Sequence, residues 1–167
     1  MTNRYQYRIL QRSRGEVRLL KLLPYDGNDK LKFIPTCNIF HVSLHTKPRF
    51  TALSYVWGAA ADSRLILLEN SPVLVTKNLY DAMMALRPTN EHIIMWIDSL
   101  CINQLDDAEK SWQVALMADI YRQAEKVVAW LGTADDQSDS VMDYLNSLGA
   151  QAEACGMDNG PEPFQEI

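Results

Sequence analysis

Apolar positions along this chain fall into short blocks whose period changes from one block to the next. "GEVRLLKLLP" (15–24) predicts a strand, closed by Pro24 and the turn-forming "YDGND". "FIPTCNIFHVSL" (33–44) alternates loosely and predicts a second strand after Pro35. "RFTALSYVWG" (49–58) is a β-branched and aromatic run stopped by Gly58. "RLILLENSPVLVT" (64–76) reads as a hairpin: Leu65 to Leu68, a turn over Glu69–Pro72, then Val73 to Val75. The period then becomes helical. Leu79, Ala82, Met83 and Leu86 form one stripe behind Asn78 as the expected N-cap, and Pro88 ends it.

His92 to Ile97 predicts a short buried strand. Asp106 or Asp107 then caps a helix running to about Glu125, with Val114, Met117, Ala118, Tyr121 and Ala124 as its inward stripe. "KVVAWLG" (126–132) predicts a third core strand stopped by Gly132. Ser138 or Asp139 opens a last helix through Val141, Met142, Leu145 and Leu148, with Gly149 at its C′ position. From residue 50 the order is strand, hairpin, helix, strand, helix, strand, helix. Such alternation implies parallel pairing, hence an α/β fold: a small three-layer sheet with a parallel core. The N-terminal strands (about 1–48) extend or cover the core (about 49–150). Residues 1–150 are expected to form a single domain, and 151–167 a partly ordered tail.

Length and composition agree with this. A chain of 167 residues with 47% hydrophobic and 22% charged residues can bury a real core. Its net charge of −5 removes any general attraction to nucleic acid or anionic membrane. Arg4, Arg8, Arg12, Arg14, Arg18 and Lys21 crowd the start and are expected to cover a solvated face. Cys37, Cys101 and Cys155 form no CxxC pair, which suits a reducing, cytoplasmic setting. The opening "MTNRYQYRIL" has no apolar signal core, and no run approaches the ~18 apolar residues of a membrane span.

In open parallel sheets, ligands bind beyond the carboxyl ends of the strands. That rule selects the candidate site. Strand 49–58 delivers Ser54, Tyr55 and Trp57 to this rim; strand 92–97 delivers Asp98, Ser99, Cys101, Asn103 and Gln104; strand 126–132 delivers Gly132 and Asp135. Asp98 has two readings: a turn cap or arginine partner, or a group that orients a ligand hydroxyl and takes part in acid–base chemistry. Glu109, in a first helical turn, is likewise either stabilised there by the helix dipole or catalytic. Asn103 and Gln104 suit amide or ribose recognition, and equally suit holding the loop by backbone hydrogen bonds. Trp57 and Trp96 are expected in the core more readily than against a ligand, and Cys101 as a small buried residue. None of the seven glycines forms GxGxxG or a P-loop, and no GxSxG is present. These absences disfavour a Rossmann dehydrogenase, an NTPase and an α/β-hydrolase.

"FTALSYVWG", "VTKNLYDAMMALR" and "MWIDSLCINQLDDAEKSWQVALMADIYRQAEKVVAWLG" occur in that order. Together they strongly resemble the fungal heterokaryon-incompatibility (HET) domain, and "VRLLKLLP" resembles that family's upstream segment. The resemblance covers about residues 15–135. It departs at Lys110, where the family has arginine, and in "WGAAAD", which lacks the usual acid after the glycine. It implies a cytoplasmic effector of fungal non-self recognition and programmed cell death. It also implies self-association and partners among other incompatibility or NLR-type proteins, with no cofactor.

The HET family is held to be distantly similar to TIR domains, some of which hydrolyse NAD at the nicotinamide–ribose bond through a glutamate after the third strand. Beyond its third strand this chain has Asp135, Asp136, Asp139 and Asp143, and no glutamate before Glu153. If NAD is a substrate, the resemblance leaves Asp98, Glu109 or one of those aspartates as the acid. The alternatives are a non-enzymatic signalling module that acts by oligomerisation, and a regulatory nucleotide-binding domain.

Overall fold

A computed structural model describes residues 5–25, 27, 32–59 and 61–133, and beyond them 143–144, 147–148 and 150–151. The chain divides into two units, 1–132 and 133–167. In the second, the described residues from 143 onward are helical. The start of the helix expected at Ser138 or Asp139, and Asp135 and Asp136, lie outside the described residues.

The first unit is an α/β fold. Its strands are β1 (Glu16–Leu22), β2 (Thr36–Ser43), β3 (Thr51–Tyr55), β4 (Ser63–Leu68), β5 (Ser71–Thr76), β6 (Ile93–Trp96) and β7 (Lys126–Trp130). Its helices are α1 (Lys77–Leu86), the single turn α2 (Asp98–Cys101), α3 (Asp107–Ala115) and α4 (Met117–Gln123). The strands form one sheet in the order β5-β4-β2-β1-β6-β3-β7. The expected parallel core is there: β3 lies between β6 and β7 and is parallel to both. The N-terminal strands extend it rather than cover it. β1 joins β6 antiparallel, with Leu20 opposite Met95, and β2 joins β1 antiparallel. The hairpin β4–β5 then attaches through a short parallel pairing of β4 with β2. The order β6-β3-β7 makes β3 the strand at which the chain passes from one side of the sheet to the other. That is where ligands settle in open α/β sheets.

The core combines Val17, Leu19, Leu20 and Leu22 of β1 with Ala52 and Leu53 of β3, Met95 and Trp96 of β6, and Leu79, Ala82 and Met83 of α1. Burying each large aliphatic side chain stabilises the fold by about 1.5–3 kcal/mol. Trp96 is fully buried and meets Tyr121 of α4 edge-on, with ring centres 5.5 Å apart.

Several local expectations are corrected. Glu69 and Asn70 both adopt positive φ, giving the two-residue turn that matches the twist of a hairpin. Pro72 therefore belongs to β5, an outer strand where its missing N–H is tolerated. The N-cap of α1 is Thr76, whose hydroxyl accepts from the Leu79 N–H, and not Asn78. The helix expected over 107–125 breaks at Leu116 into α3 and α4. Of the expected inward stripe, Met117, Tyr121 and Ala124 pack against the core, whereas Val114 and Ala118 are exposed. Glu109, Gln113 and Ile120 are buried instead, because partners elsewhere in the fold draw two polar side chains inward. β7 is the third strand of the parallel core as expected, but it stands at one edge of the sheet, so Lys126, Val127 and Ala129 are exposed. Arg8, Arg12 and Arg14 are exposed as expected, but Arg18 is 1% exposed.

Among the described residues, no helix is long and apolar enough to cross a membrane.

Gly15 closes the turn that leads into β1. Its φ is +56°, and a Cβ there would lie 2.9 Å from Nε2 of His45. Gly15→Ala is expected to destabilise the fold by about 1–2 kcal/mol through left-handed backbone strain. The measurement is a lower urea midpoint at unchanged m-value.

Candidate functional site

The segment "DSLCINQ" (98–104) leaves β6 and turns at once. Asp98 begins α2, and its Oδ1 accepts from the Ser99 N–H at 2.6 Å. Its Oδ2 accepts from the indole N–H of Trp57 at 2.9 Å. Ser99 Oγ and the Tyr55 hydroxyl are 2.6 Å apart and hydrogen-bonded. The ends of β3 and β6 are thus tied through two pairs, Trp57–Asp98 and Tyr55–Ser99. Burial raises the pKa of Asp98 above the ordinary aspartate value, opposed by the N–H groups of Trp57 and Ser99. Burial also pushes the Tyr55 phenol up. Nearby Tyr121, whose hydroxyl donates to Leu53 O, is raised by burial and then by the charge of Asp98.

A cleft of about 210 Å³ opens beside these pairs, walled by Tyr7, Tyr55, Trp57, Ser99, Leu79 and residues 73–76 of β5. β5 and β3 are far apart in strand order, so the sheet curls enough to bring β5 and the start of α1 back to the end of β3. Asn78 secures that closure. Its Nδ2 donates to Val56 O at 2.5 Å, and its Oδ1 accepts from the Trp130 indole at 2.9 Å. One amide therefore joins the ends of β3 and β7 to the first turn of α1.

Beneath the loop lies an ion pair. Arg18 of β1 meets Glu109 of α3 in a two-pronged contact, with Nη1–Oε1 at 2.5 Å and Nη2–Oε2 at 2.9 Å. Their exposures are 1% and 7%. The same guanidinium donates to Cys101 O and Arg8 O, and Glu109 Oε1 also accepts from the Asn103 N–H at 2.7 Å. Asp106 caps α3 by accepting from the Glu109 N–H, which sets the carboxylate's position. Gln113, one turn further on, donates to Glu16 O of β1.

The structure places the predicted site residues unevenly. Asp98, Tyr55 and Trp57 come together at the rim, and Trp57 is 45% exposed, so the core reading does not hold for it. Trp96 and Cys101 are buried. Ser54 is exposed on β3, opposite Ala129 of β7. Gln104 donates to Asp98 O, and Asn103 Oδ1 accepts from the Leu105 N–H, so both side chains hold the loop. Glu109 is the arginine-paired acid, a role that had been one of the two readings of Asp98. Gly132 has φ +118° and open space where a Cβ would stand. Asp135 lies outside the described residues.

Three contributors were missed: Arg18, Asn78 and Tyr7. Arg18 had a signal, an arginine inside an otherwise apolar strand. Asn78 has the sequence pattern of a helix cap, which masks its bridging role. Tyr7 carried no signal in its own neighbourhood.

Residues 50–161, more than half of the chain, match the family model described as "Heterokaryon incompatibility protein (HET)". Over 128 residues the chain is 39% identical to "Heterokaryon incompatibility protein 6, OR allele" of Neurospora crassa. That similarity takes in 69% of this chain and 19% of the relative, so the chain spans about a fifth of that protein's length. No solved structure matches the chain.

The two acids should respond oppositely to neutralisation. Glu109→Gln leaves Arg18 buried without its counter-charge and is expected to cost about 3–5 kcal/mol. The folded state raises the pKa of Asp98. Its ionised form therefore opposes folding, an effect absent below the ordinary carboxylate pKa and growing as pH rises to the folded value. Asp98→Asn should accordingly keep or raise the melting temperature at pH 7. Thermal and urea unfolding of the two variants side by side checks the contrast.

Proposed function

The chain belongs to the heterokaryon-incompatibility (HET) family, and on that premise we propose that it is an effector domain of fungal non-self recognition that triggers cell death by hydrolysing NAD at the nicotinamide–ribose bond. The observation that carries this reading is the Asp98 carboxylate. It is half-buried just past the end of β6, bonded to Trp57 and next to Ser99, both of which line the aromatic-walled cleft. Each of its oxygens accepts one N–H and retains lone pairs for a ligand. A carboxylate so placed can hold ribose hydroxyls and stabilise the positive charge that develops at C1′.

The reaction is simple in its balance. The C1′–N bond breaks, its electron pair leaves with nicotinamide, water adds at C1′, and one proton passes to solvent. Tyr55 and Ser99 hold the Asp98 turn in place. Glu109 takes no direct part, because both its oxygens face Arg18.

Signalling by contact alone is the second reading. It is favoured by β7, an outer strand on which Val127 is 49% exposed, a surface that can pair with another chain.

Incubating concentrated protein with NAD separates the two. The hydrolytic reading expects nicotinamide release that Asp98→Asn lowers by about a hundredfold or more, the usual effect of losing one transition-state contact. Absence of release at every concentration, with cell killing intact, would favour contact signalling.

A further inference from the structure

The cleft beside Asp98 does not have the charges of a phosphate site. Among the described residues, its lining holds no Lys, Arg or His. The nearest buried cation is Arg18, which stacks on the Tyr7 ring at 4.6 Å, and its charge is balanced by Glu109. The charge next to the lining is negative: Asp98, behind the wall, accepts from the indole N–H of the lining residue Trp57 and adjoins the lining residue Ser99. The walls are aromatic in Tyr7, Tyr55 and Trp57, and aliphatic in Val73 and Leu79.

We infer that this cleft takes one flat, positively charged heteroaromatic ring of the pyridinium type, and that any phosphate attached to the ligand stays outside it. Three considerations support the assignment. A cation over the face of tryptophan or tyrosine is attracted by the ring's electron density. The Trp57 N–H donates to a carboxylate, which pushes electron density into the indole and strengthens that attraction. The volume of about 210 Å³ is that of some seven waters at ~30 Å³ each. One substituted six-membered ring fills it, whereas drug-sized ligands occupy pockets of about 300 Å³ and more.

An anion would meet the Asp98 carboxylate with no compensating cation. The inference deepens the reading of the rim as a ligand site and rests on it, but it does not rest on hydrolysis.

Three pyridines of nearly one shape test it: 1-methylnicotinamide as the cation, nicotinamide as the neutral ring and nicotinate as the anion. Binding is followed by calorimetry or ligand-observed NMR at pH 7. The cation should bind about fivefold or more tighter than nicotinamide, the size of one cation–π contact. Nicotinate should bind weakest. Asp98→Asn should cancel the cation's advantage over nicotinamide, and Trp57→Leu should weaken the cation. Nicotinate binding as tightly as the cation, a cation advantage untouched by Asp98→Asn, or no binding by any of the three would overturn the inference. If a variant fails to fold, the order on the unmodified protein decides. A correct order without nicotinamide release from NAD keeps the cleft assignment and removes hydrolysis; release with the wrong order does the reverse.

Discussion

The buried pair of Arg18 and Glu109 is the constraint on which the rim depends. Two charges have been taken out of water, and the cost of that is met only because nearly every polar atom of the pair has a partner. Those partners come from four places: β1, α3, the loop 101–103 and the N-terminal segment at Arg8. An apolar cluster would hold these elements near one another. The ion pair does more, because a planar guanidinium facing a carboxylate accepts only one geometry. It fixes the Cys101 carbonyl and the Asn103 N–H, and with them the path of the loop that begins at Asp98.

The upper side of that loop is held by different chemistry. Tyr55–Ser99 and Trp57–Asp98 join the end of β3 and the residues just beyond it to α2. Asn78 adds the third strand end through Trp130. The result is a carboxylate held from two sides, with its pKa raised by burial, directly behind Trp57 and Ser99, which line a small cleft of aromatic and aliphatic walls.

Much of this was legible in the chain. The alternation of strands and helices after residue 50 pointed to a parallel core, and β3, β6 and β7 form one. The rule that ligands gather beyond strand carboxyl ends brought Asp98, Tyr55 and Trp57 onto one rim, where the structure joins them. What was not legible depended on partners distant in sequence. Glu109 and Gln113 turn inward because β1 supplies a guanidinium and a carbonyl for them, and no period count within α3 can register that. Arg18 looked like one more member of a basic surface, since its neighbours Arg12 and Arg14 are exposed. Asn78 satisfied the local pattern of a cap, but Thr76 took that role and left its amide free to bridge two strands.

The central claim is that the ion pair beneath the loop sets the rim above it. Replacing both partners with methionine, Arg18→Met with Glu109→Met, removes the charges together and keeps most of the volume. Amide hydrogen exchange of this double variant is the direct measurement. The account predicts faster exchange at Ser99 and Asn103, with Leu53 in β3 still protected. Unchanged protection at Ser99 and Asn103 would contradict it.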